Sequence, residues 1–442
     1  MHALGESLSI WWTLPFAGML LAIAILPLVV KGWFSEARNL ALVAAVFGVP
    51  VITYLLAMQG AAGSAAVRDT AGQYVSFMVL LASLFTIAGG IHVAGDLVGT
   101  PRSNVTFLAV GAVLASLIGT TGAAMVLVRP LLRANSERRY RAHTMVFAIF
   151  IVANIGGLLT PIGDPPLLLG FLQGVGFFWT LRLLPEWLLA NGVILLIYFV
   201  VDRYFYARET PSALLEDAAD YEPMGVDGKR NIAVLIVAVA VVMLSPALAR
   251  IGDSLHFHFI REVALIVLAA VSLMPASRRP RERNRFTWGP LVEVTVVFAG
   301  IFATIVPAIA ILRARGDELG LTQPWQFFWA SGGLSAFLDS APAYLSFTSA
   351  AQGMLHLGSP ADLTSAAVAP AVGHSPASFL AAISVGTVFM GANTYVGNAP
   401  NLMVRAIAEE SGCPMPSFFH YMAWSVAVLL PVFVVVSLLF FR

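Results

Sequence analysis

The chain has 442 residues, of which 59% are apolar and 11% charged, whereas an ordinary soluble domain carries about 25% charged residues. This composition excludes a soluble globular protein. The 25 Lys and Arg residues balance the 24 Asp and Glu residues, so no excess of positive charge indicates nucleic-acid binding. The single cysteine, Cys413, cannot form an internal disulfide bond. We therefore predict an all-α integral membrane protein whose partners are the lipid bilayer and a small solute, with no nucleic acid.

Ten charge-poor apolar stretches are long enough to cross a bilayer as helices, because about 20 residues rising 1.5 Å each span roughly 30 Å of hydrocarbon. The segment before the first stretch lacks the basic residues of a cleaved signal peptide, so we expect that stretch to remain in the protein. The polar stretch 207–229, rich in Asp and Glu, divides the chain near its middle. The ten stretches lie near residues 10–30, 39–58, 73–94, 143–174, 187–206, 230–249, 261–275, 288–312, 377–411 and 418–441.

Two further apolar segments, 103–133 and 323–354, are interrupted by clusters that favour turns. Each arm of these segments would have about 10 to 15 residues, or roughly 15 to 22 Å of helix, which is too short to cross the bilayer alone. We therefore predict two re-entrant hairpins with the clusters at their tips. One straight span with an internal glycine pair or turn is the alternative for each segment. The clusters are Gly119-Thr120-Thr121-Gly122 and Asp339-Ser340-Ala341-Pro342.

The two halves of the chain repeat the same motifs in the same order, as in transporters built from duplicated halves. Asp164 of the first half falls opposite Asn398 of the second. Each half therefore contains three spans, a hairpin, a broken span and a final span. Three shifts, of 234, 220 and 217 residues, superpose the motifs: 157–166 on 391–400, 116–122 on 336–342, and 84–85 on 301–302.

Each half crosses the membrane an odd number of times, so the second half must enter from the opposite face and the repeats are inverted. We predict a first repeat at 1–206, a cytoplasmic linker at 207–229 and a second repeat at 230–442. If the hairpins return to the face from which they start, one face holds 18 of the 25 Lys and Arg residues; with straight spans, the best face holds 16. Because basic loops stay in the cytoplasm, this face is predicted to be cytoplasmic, with both termini outside.

Two motifs rich in glycine and proline, 160–166 and 394–400, interrupt long apolar stretches. Neither can continue as a regular helix, because each proline removes a backbone donor and clashes with the preceding turn. We expect two broken helices whose freed carbonyls coordinate cations and whose half-helix N-termini face anions. A simple proline kink is the alternative for one motif alone. The paired copies, each preceded by a hairpin, favour a transport site.

Few ionisable residues fall within the predicted spans, where a charge is costly and usually functional. Asp164 lies in the first break, Asp339 at the second hairpin tip, and Glu293 early in a span. We predict that Asp164 and Asp339 bind a sodium ion or a proton, with capping of adjacent helices as the alternative. Glu293 either shares this role or reaches the membrane interface.

Hydroxyl and amide side chains are concentrated at the two tips and two breaks, and their neutral oxygens suit a hard cation. Any one of them alone could instead form an interhelical hydrogen bond. The predicted neutral ligands are Thr120, Thr121, Asn154, Thr160, Ser340, Asn393, Thr394 and Asn398.

The segments 154–166 (NIGGLLTPIGDPP) and 391–402 (GANTYVGNAPNL) resemble the ion transporter superfamily. That group includes arsenite-efflux permeases, NhaD-type sodium/proton antiporters, citrate carriers and dicarboxylate/sodium symporters. With segments 119–124 and 129–135, the likeness is strongest to a bacterial branch whose members are called citrate transporters or sodium:proton antiporters. The resemblance covers most of the chain. It implies a multi-pass secondary active transporter of the bacterial inner membrane, with a homodimer as a candidate assembly.

Two substrate classes remain open. The dicarboxylate symporters of that superfamily carry a Ser-Asn-Thr triplet at each hairpin tip, whereas the tips here are Thr120-Thr121-Gly122 and Ser340-Ala341-Pro342. This departure, and the repulsion of a citrate trianion by Asp164 and Asp339, favour a sodium/proton antiporter that uses no cofactor besides its ions. A cation- or proton-coupled symporter of citrate or another organic anion is the alternative, since helix N-termini could offset the repulsion.

An enzyme and a channel are the other classes to consider. Asp164 follows Ile162-Gly163 and lacks the Gly-x-Gly-Asp pattern that resembles presenilin-type proteases. We therefore predict no enzymatic activity. A channel would require a continuous pore, about which the sequence is silent.

Overall fold

The computed structural model describes residues 2–30, 33, 36–212, 222–255, 259–367, 369 and 372–442, and this part of the chain is almost entirely helical. Two short strands, β1 (His92–Asp96) and β2 (Glu222–Asp227), pair antiparallel. The helices are α1 (His2–Ser7), α2 (Leu14–Val29), α3 (Ala37–Met58), α4 (Gly60–Ala88), α5 (Pro101–Ile118), α6 (Thr120–Arg133), α7 (Ala142–Ile151), α8 (Pro165–Leu172), α9 (Leu184–Tyr206), α10 (Lys229–Met243), α11 (Ser245–Leu255), α12 (Ile260–Ser272), α13 (Arg278–Arg283), α14 (Gly289–Arg315), α15 (Pro324–Phe337), α16 (Ser340–Met354), α17 (Pro376–Met390), α18 (Ala399–Glu410) and α19 (Phe418–Phe440).

Eight helices within the described ranges are long and apolar enough to cross a membrane, and the number becomes nine if α10 and α11, bent by 66°, form one span. The prediction of an all-α integral membrane protein is confirmed. The predicted count of ten spans is not reached by this criterion. One reason is that α12 has only 13 residues, or about 20 Å of helix, and α2 has only 16.

Two helix boundaries differ from the predicted spans. The helix α4 begins at Gly60 rather than near residue 73, and it runs through Arg68 and Asp69. Small alanine-rich sequence favours helix whether or not it lies in lipid, so polarity alone placed this boundary too late. The first arm of the first hairpin, α5, has 18 residues, or about 27 Å, and is longer than the predicted arm.

Both predicted hairpin segments are pairs of helices that fold back on each other. Gly119 separates α5 from α6 with φ +84°, a conformation that glycine adopts at little cost. Asn104 and Asn135, near the far ends of these helices, exchange two side-chain hydrogen bonds of 2.9 Å. In the second pair, the rings of Phe327 in α15 and Phe347 in α16 lie 6.3 Å apart. Re-entry of these pairs into a bilayer stays a prediction.

The loops rich in basic residues meet at one end of the bundle. Arg133 donates to the carbonyl of Val93 in β1 over 2.8 Å. Arg129 forms a 3.6 Å ion pair with Glu410 at the end of α18, and Arg285 pairs with the same carboxylate. These contacts place the loops after α4, α6, α13 and α18 together, and we call this end the basic end.

Part of the predicted linker is ordered as a strand. Residues 222–227 form β2, which pairs with β1 instead of continuing as a polar connection, and Arg283 forms a 2.5 Å ion pair with Asp227. The acidic residues Glu216, Asp217 and Asp220 of the linker lie outside the described residues.

The described chain ends lie at the end opposite the basic end. Helix α1 packs on the last turns of α14, where Gly5 approaches the carbonyl of Ala310 so closely that a Cβ would lie 1.9 Å from it. The ring of Phe441, after α19, lies 5.2 Å from that of Phe328 in the first turns of α15.

A buried ionic network holds the base of the first helix pair. Asp202 in α9 is fully buried and accepts hydrogen bonds from Arg138 (2.5 Å), His143 (2.9 Å) and Asn104 (3.1 Å). Because every partner belongs to a different segment, this carboxylate fixes α5, α7 and α9 relative to one another.

Candidate functional site

Each broken helix contains a turn in which two glycine backbones touch. The first turn follows α7 and includes a 3-10 segment, Ile155–Leu159, before α8 begins at Pro165. A Cβ added to Gly163 would lie 2.0 Å from the carbonyl oxygen of Gly157. At the equivalent place in the second break, a Cβ on Gly397 would lie 2.6 Å from the carbonyl oxygen of Gly391. Both turns therefore exclude any side chain at these positions.

Asp164 lies at the junction of the first hairpin tip and the two breaks, and it is 1% exposed. Its Oδ1 accepts hydrogen bonds from the Thr120 hydroxyl (2.9 Å) and from the Asn398 amide (3.0 Å). Its Oδ2 is buried without a hydrogen-bond partner. The Thr120 N–H also donates to Gly163 O over 2.8 Å. The carboxylate thus has two neutral donors and one oxygen available to a proton or cation.

Three asparagines connect the two breaks behind Asp164. The Asn154 amide donates to Asn401 Oδ1 (2.7 Å), and the Asn398 amide donates to Asn154 Oδ1 (3.2 Å). The Asn398 Oδ1 is buried and unpaired. Asn401 was not among the predicted site residues. Its signal was its position three residues after Asn398, which places both on one face of α18.

The two predicted threonine ligands instead fasten each break to the neighbouring hairpin arm. The Thr160 hydroxyl donates to the carbonyl of Ser116 in α5, and the Thr394 hydroxyl donates to that of Ala336 in α15 over 2.5 Å. The oxygen of Thr394 also accepts from the N–H groups of Val396 (3.2 Å) and Gly397 (3.1 Å). With its lone pairs engaged in this way, Thr394 contributes to the fold of the break.

Aromatic side chains of the final span in each half also hold the breaks. Trp187 Nε1 donates to Gly156 O over 3.1 Å, and the Tyr421 hydroxyl donates to Ala392 O over 2.7 Å. Trp187 and Tyr421 are separated by the same 234 residues as the motifs. Asn393, a predicted ligand, accepts at its backbone carbonyl from Ser425 (2.9 Å). Sequence reasoning missed these contacts because their acceptors are backbone carbonyls, which no side-chain pattern reveals.

A cavity of about 410 Å³, here called the large cavity, lies beside the second hairpin tip. Asp339, Glu293 and Glu410 line it. Asp339 also accepts a hydrogen bond from the N–H of Ala341 over 3.0 Å and thereby caps α16. Its remaining lining is mostly apolar: Ile23, Pro290, Val294, Val297, Phe298, Val396, Ala399, Leu402, Met403, Ala406 and Ile407. Among these described lining residues there is no Lys, Arg or His.

A much smaller cavity of about 40 Å³, the small cavity, lies beside the first tip and is lined by Thr120, Thr121 and Asp164. It is the counterpart of the large cavity under the shifts found in the sequence. Its residues Leu80, Leu81, Ile162, Pro165 and Leu168 correspond to Val297, Phe298, Val396, Ala399 and Leu402 of the large cavity.

The structure therefore brings the predicted site residues together in two groups. Hydrogen bonds join Asp164, Thr120, Asn154 and Asn398, while Asp339 and Glu293 face the large cavity. Ser340 begins α16, with a fully buried hydroxyl that has no partner. In the part of the chain described, no group of three or more His, Cys, Asp or Glu residues could hold a metal ion. A cation at Asp164 would therefore be coordinated mainly by neutral oxygens.

Two folded-back helix pairs, two broken helices and a buried carboxylate between them define this protein as a membrane transporter. The sequence model of the family described as "Putative citrate transport" matches residues 5–441. The chain belongs to this family, which confirms the resemblance to ion and citrate transporters. No curated protein matches the sequence significantly.

Proposed function

We propose that the chain is a sodium/proton antiporter of a bacterial inner membrane, in which Asp164 binds the two ions alternately. The observation that carries this proposal is the environment of the Asp164 carboxylate, which has only the neutral donors Thr120 and Asn398 and one unpaired oxygen. An isolated buried charge is costly, so a proton or a cation must neutralise it. Since each would occupy the same carboxylate, sodium and protons compete.

The large cavity supports a cationic substrate. Asp339 and Glu293 line it, and the described lining residues include no basic side chain. Carboxylates in a cleft with apolar walls raise the local concentration of cations. Glu410 lies at the basic end, where Arg129 and Arg285 pair with it, so the large cavity extends toward the predicted cytoplasmic face.

Cation- or proton-coupled symport of citrate or another organic anion is the second candidate, and the family description favours it. Four helices, α6, α8, α16 and α18, begin at the two tips and two breaks. Each helix N-terminus carries a partial positive charge, about half an elementary charge. Once protons or cations neutralise the carboxylates, these N-termini could hold an anion.

The purified chain in liposomes with a preset proton gradient tests the proposal. We expect external sodium to dissipate the gradient, as read by a pH-sensitive dye. Asp164→Asn should abolish this response, because an amide keeps the hydrogen bonds but binds no exchangeable proton. Asp317→Asn, which changes an exposed carboxylate after α14, is the matched control and should respond like the unmodified chain.

Parallel uptake of labelled citrate separates the two candidates. Robust citrate accumulation without sodium-driven proton movement would replace the antiporter with the organic-anion symporter. Normal exchange by Asp164→Asn would show that another group binds the ions.

A further inference from the structure

The second arm of the second hairpin, α16, carries buried polar side chains that lack partners. Ser349 is fully buried, Gln352 is 2% exposed and Ser346 is 7% exposed. The two serine hydroxyls and the Gln352 Nε2 make no hydrogen bond. Polar groups in such positions are normally paired, because desolvation without a hydrogen bond is costly.

These residues form one stripe along the helix. They are spaced three residues apart, so their side chains lie on neighbouring positions of one face. The hydroxyl of Ser340, in the first turn of α16 beside Asp339, is also buried and unpaired. From Ser340 to Gln352 the helix rises about 18 Å.

The neighbouring threonine shows that the helix could satisfy these hydroxyls internally. Thr348 is 2% exposed, and its hydroxyl donates to the carbonyl of Tyr344 over 2.8 Å. A hydroxyl in an apolar helical environment commonly makes this bond to the preceding turn. Ser346 and Ser349 lie in the same helix and do not make it, so their side chains point to a polar environment.

The position of the stripe relative to the two ends of the bundle indicates what it connects. Near the last turns of α16, Gly316 approaches the carbonyl of Ala350 so closely that a Cβ would lie 2.3 Å from it. Gly316 follows α14 at the end opposite the basic end. The large cavity reaches Asp339 from the basic side.

We propose that the stripe of Ser346, Ser349 and Gln352 lines a narrow polar pathway for water and small monovalent cations. The pathway leads from the end opposite the basic end to the tip at Asp339 and Ser340. Asp339 is then reached from the two ends by separate routes. The pathway depends on the proposed function for the identity of its cation, but its polarity can be tested without transport.

The test uses single cysteines in a Cys413→Ala background and silver ion, a monovalent cation that reacts with thiols. Ser346→Cys, Ser349→Cys and Gln352→Cys are compared with Thr348→Cys and Ala351→Cys in the same helix. Free thiols remaining after timed exposure are counted with a fluorescent maleimide in denaturant. We expect the stripe cysteines to react at least about tenfold faster than the two controls, because thiol reactivity follows access to the aqueous reagent. Equal, slow reaction at all five positions would overturn the pathway.

A stability measurement gives an independent check. If Ser349 were an unpaired hydroxyl in a dry interior, Ser349→Ala would raise the Tm of the purified protein, since it removes an uncompensated polar group. We expect no rise, because the hydroxyl is hydrated, and a clear rise would contradict the pathway. Absence of sodium/proton exchange in liposomes would overturn the proposed function but would leave the labelling pattern unchanged, so the two failures are distinguishable.

Discussion

At the scale of single residues, two buried carboxylates show how partners separate a structural charge from a functional one. Asp202 is surrounded by Arg138, His143 and Asn104, so its charge is neutralised within the fold. Asp164 is as deeply buried but has only neutral donors. Both residues are visible in the sequence, but their partners are distant along the chain. For Asp202, the network could therefore not be predicted from the sequence.

The Asp202 network makes a prediction about stability. Arg138→Ala leaves the Asp202 charge buried with fewer partners and is expected to lower the free energy of unfolding by about 3–5 kcal/mol. Arg283→Ala removes an ion pair with Asp227 in which both side chains are about half exposed and should change it by only about 0–1 kcal/mol. Thermal unfolding of both variants in detergent measures the difference. Equal effects would mean that the buried network does not stabilise the fold.

At the scale of elements, the sequence predicted the interruptions better than the lengths of the helices. Gly119 and the prolines of the breaks restrict the backbone locally, so the tips and breaks fall where these residues indicate. The start of α4 and the strand β2 depend on contacts elsewhere in the chain, and the hydropathy pattern misplaced the first and missed the second. The asparagine contacts across the two breaks were likewise visible only in the folded chain.

The contact between glycines in each break gives a prediction about this element. Gly163→Ala places a Cβ against the Gly157 carbonyl and is expected to destabilise the protein by about 3 kcal/mol or more, since the close backbone contact must open. Gly192→Ala in α9 meets no atom within 4 Å and should stabilise slightly, by about 0.5–1 kcal/mol, because alanine favours helix. Expression and Tm of the two variants decide. A neutral Gly163→Ala would show that the break is not tightly packed.

The fold-back of the two helix pairs predicts which positions share a membrane face. In a Cys413→Ala background, Arg102→Cys and Ser136→Cys, at exposed sites flanking the first pair, should react with an impermeant thiol reagent from one face. Glu318→Cys and Gly358→Cys, also exposed, should react from the other face. Intact cells and inverted vesicles provide the two accessible sides. Labelling of either pair from opposite faces would make that segment a straight span and would contradict the inverted repeat.

At the scale of the whole molecule, the two counterpart cavities differ in size. The large cavity has about 410 Å³ and the small cavity about 40 Å³, although equivalent residues line both. If the halves are inverted repeats, equivalent cavities open toward opposite faces. The unequal volumes then correspond to a conformation open toward the basic end, and exchange of the two sizes would move the access from one face to the other.

Two residues at equivalent positions test this alternation. Val396 lines the large cavity and Ile162 lines the small one, and they are separated by 234 residues. In this conformation, Val396→Cys should react with a small hydrophilic thiol reagent from the basic face, while Ile162→Cys should be protected. A change of sodium or pH that shifts the population should slow the first reaction and accelerate the second from the opposite face, each in proportion to the population of the reactive conformation. The reciprocal change is the essential result, because a channel would expose both positions together. Parallel changes at the two positions, or reaction of both from one face, would contradict alternating access.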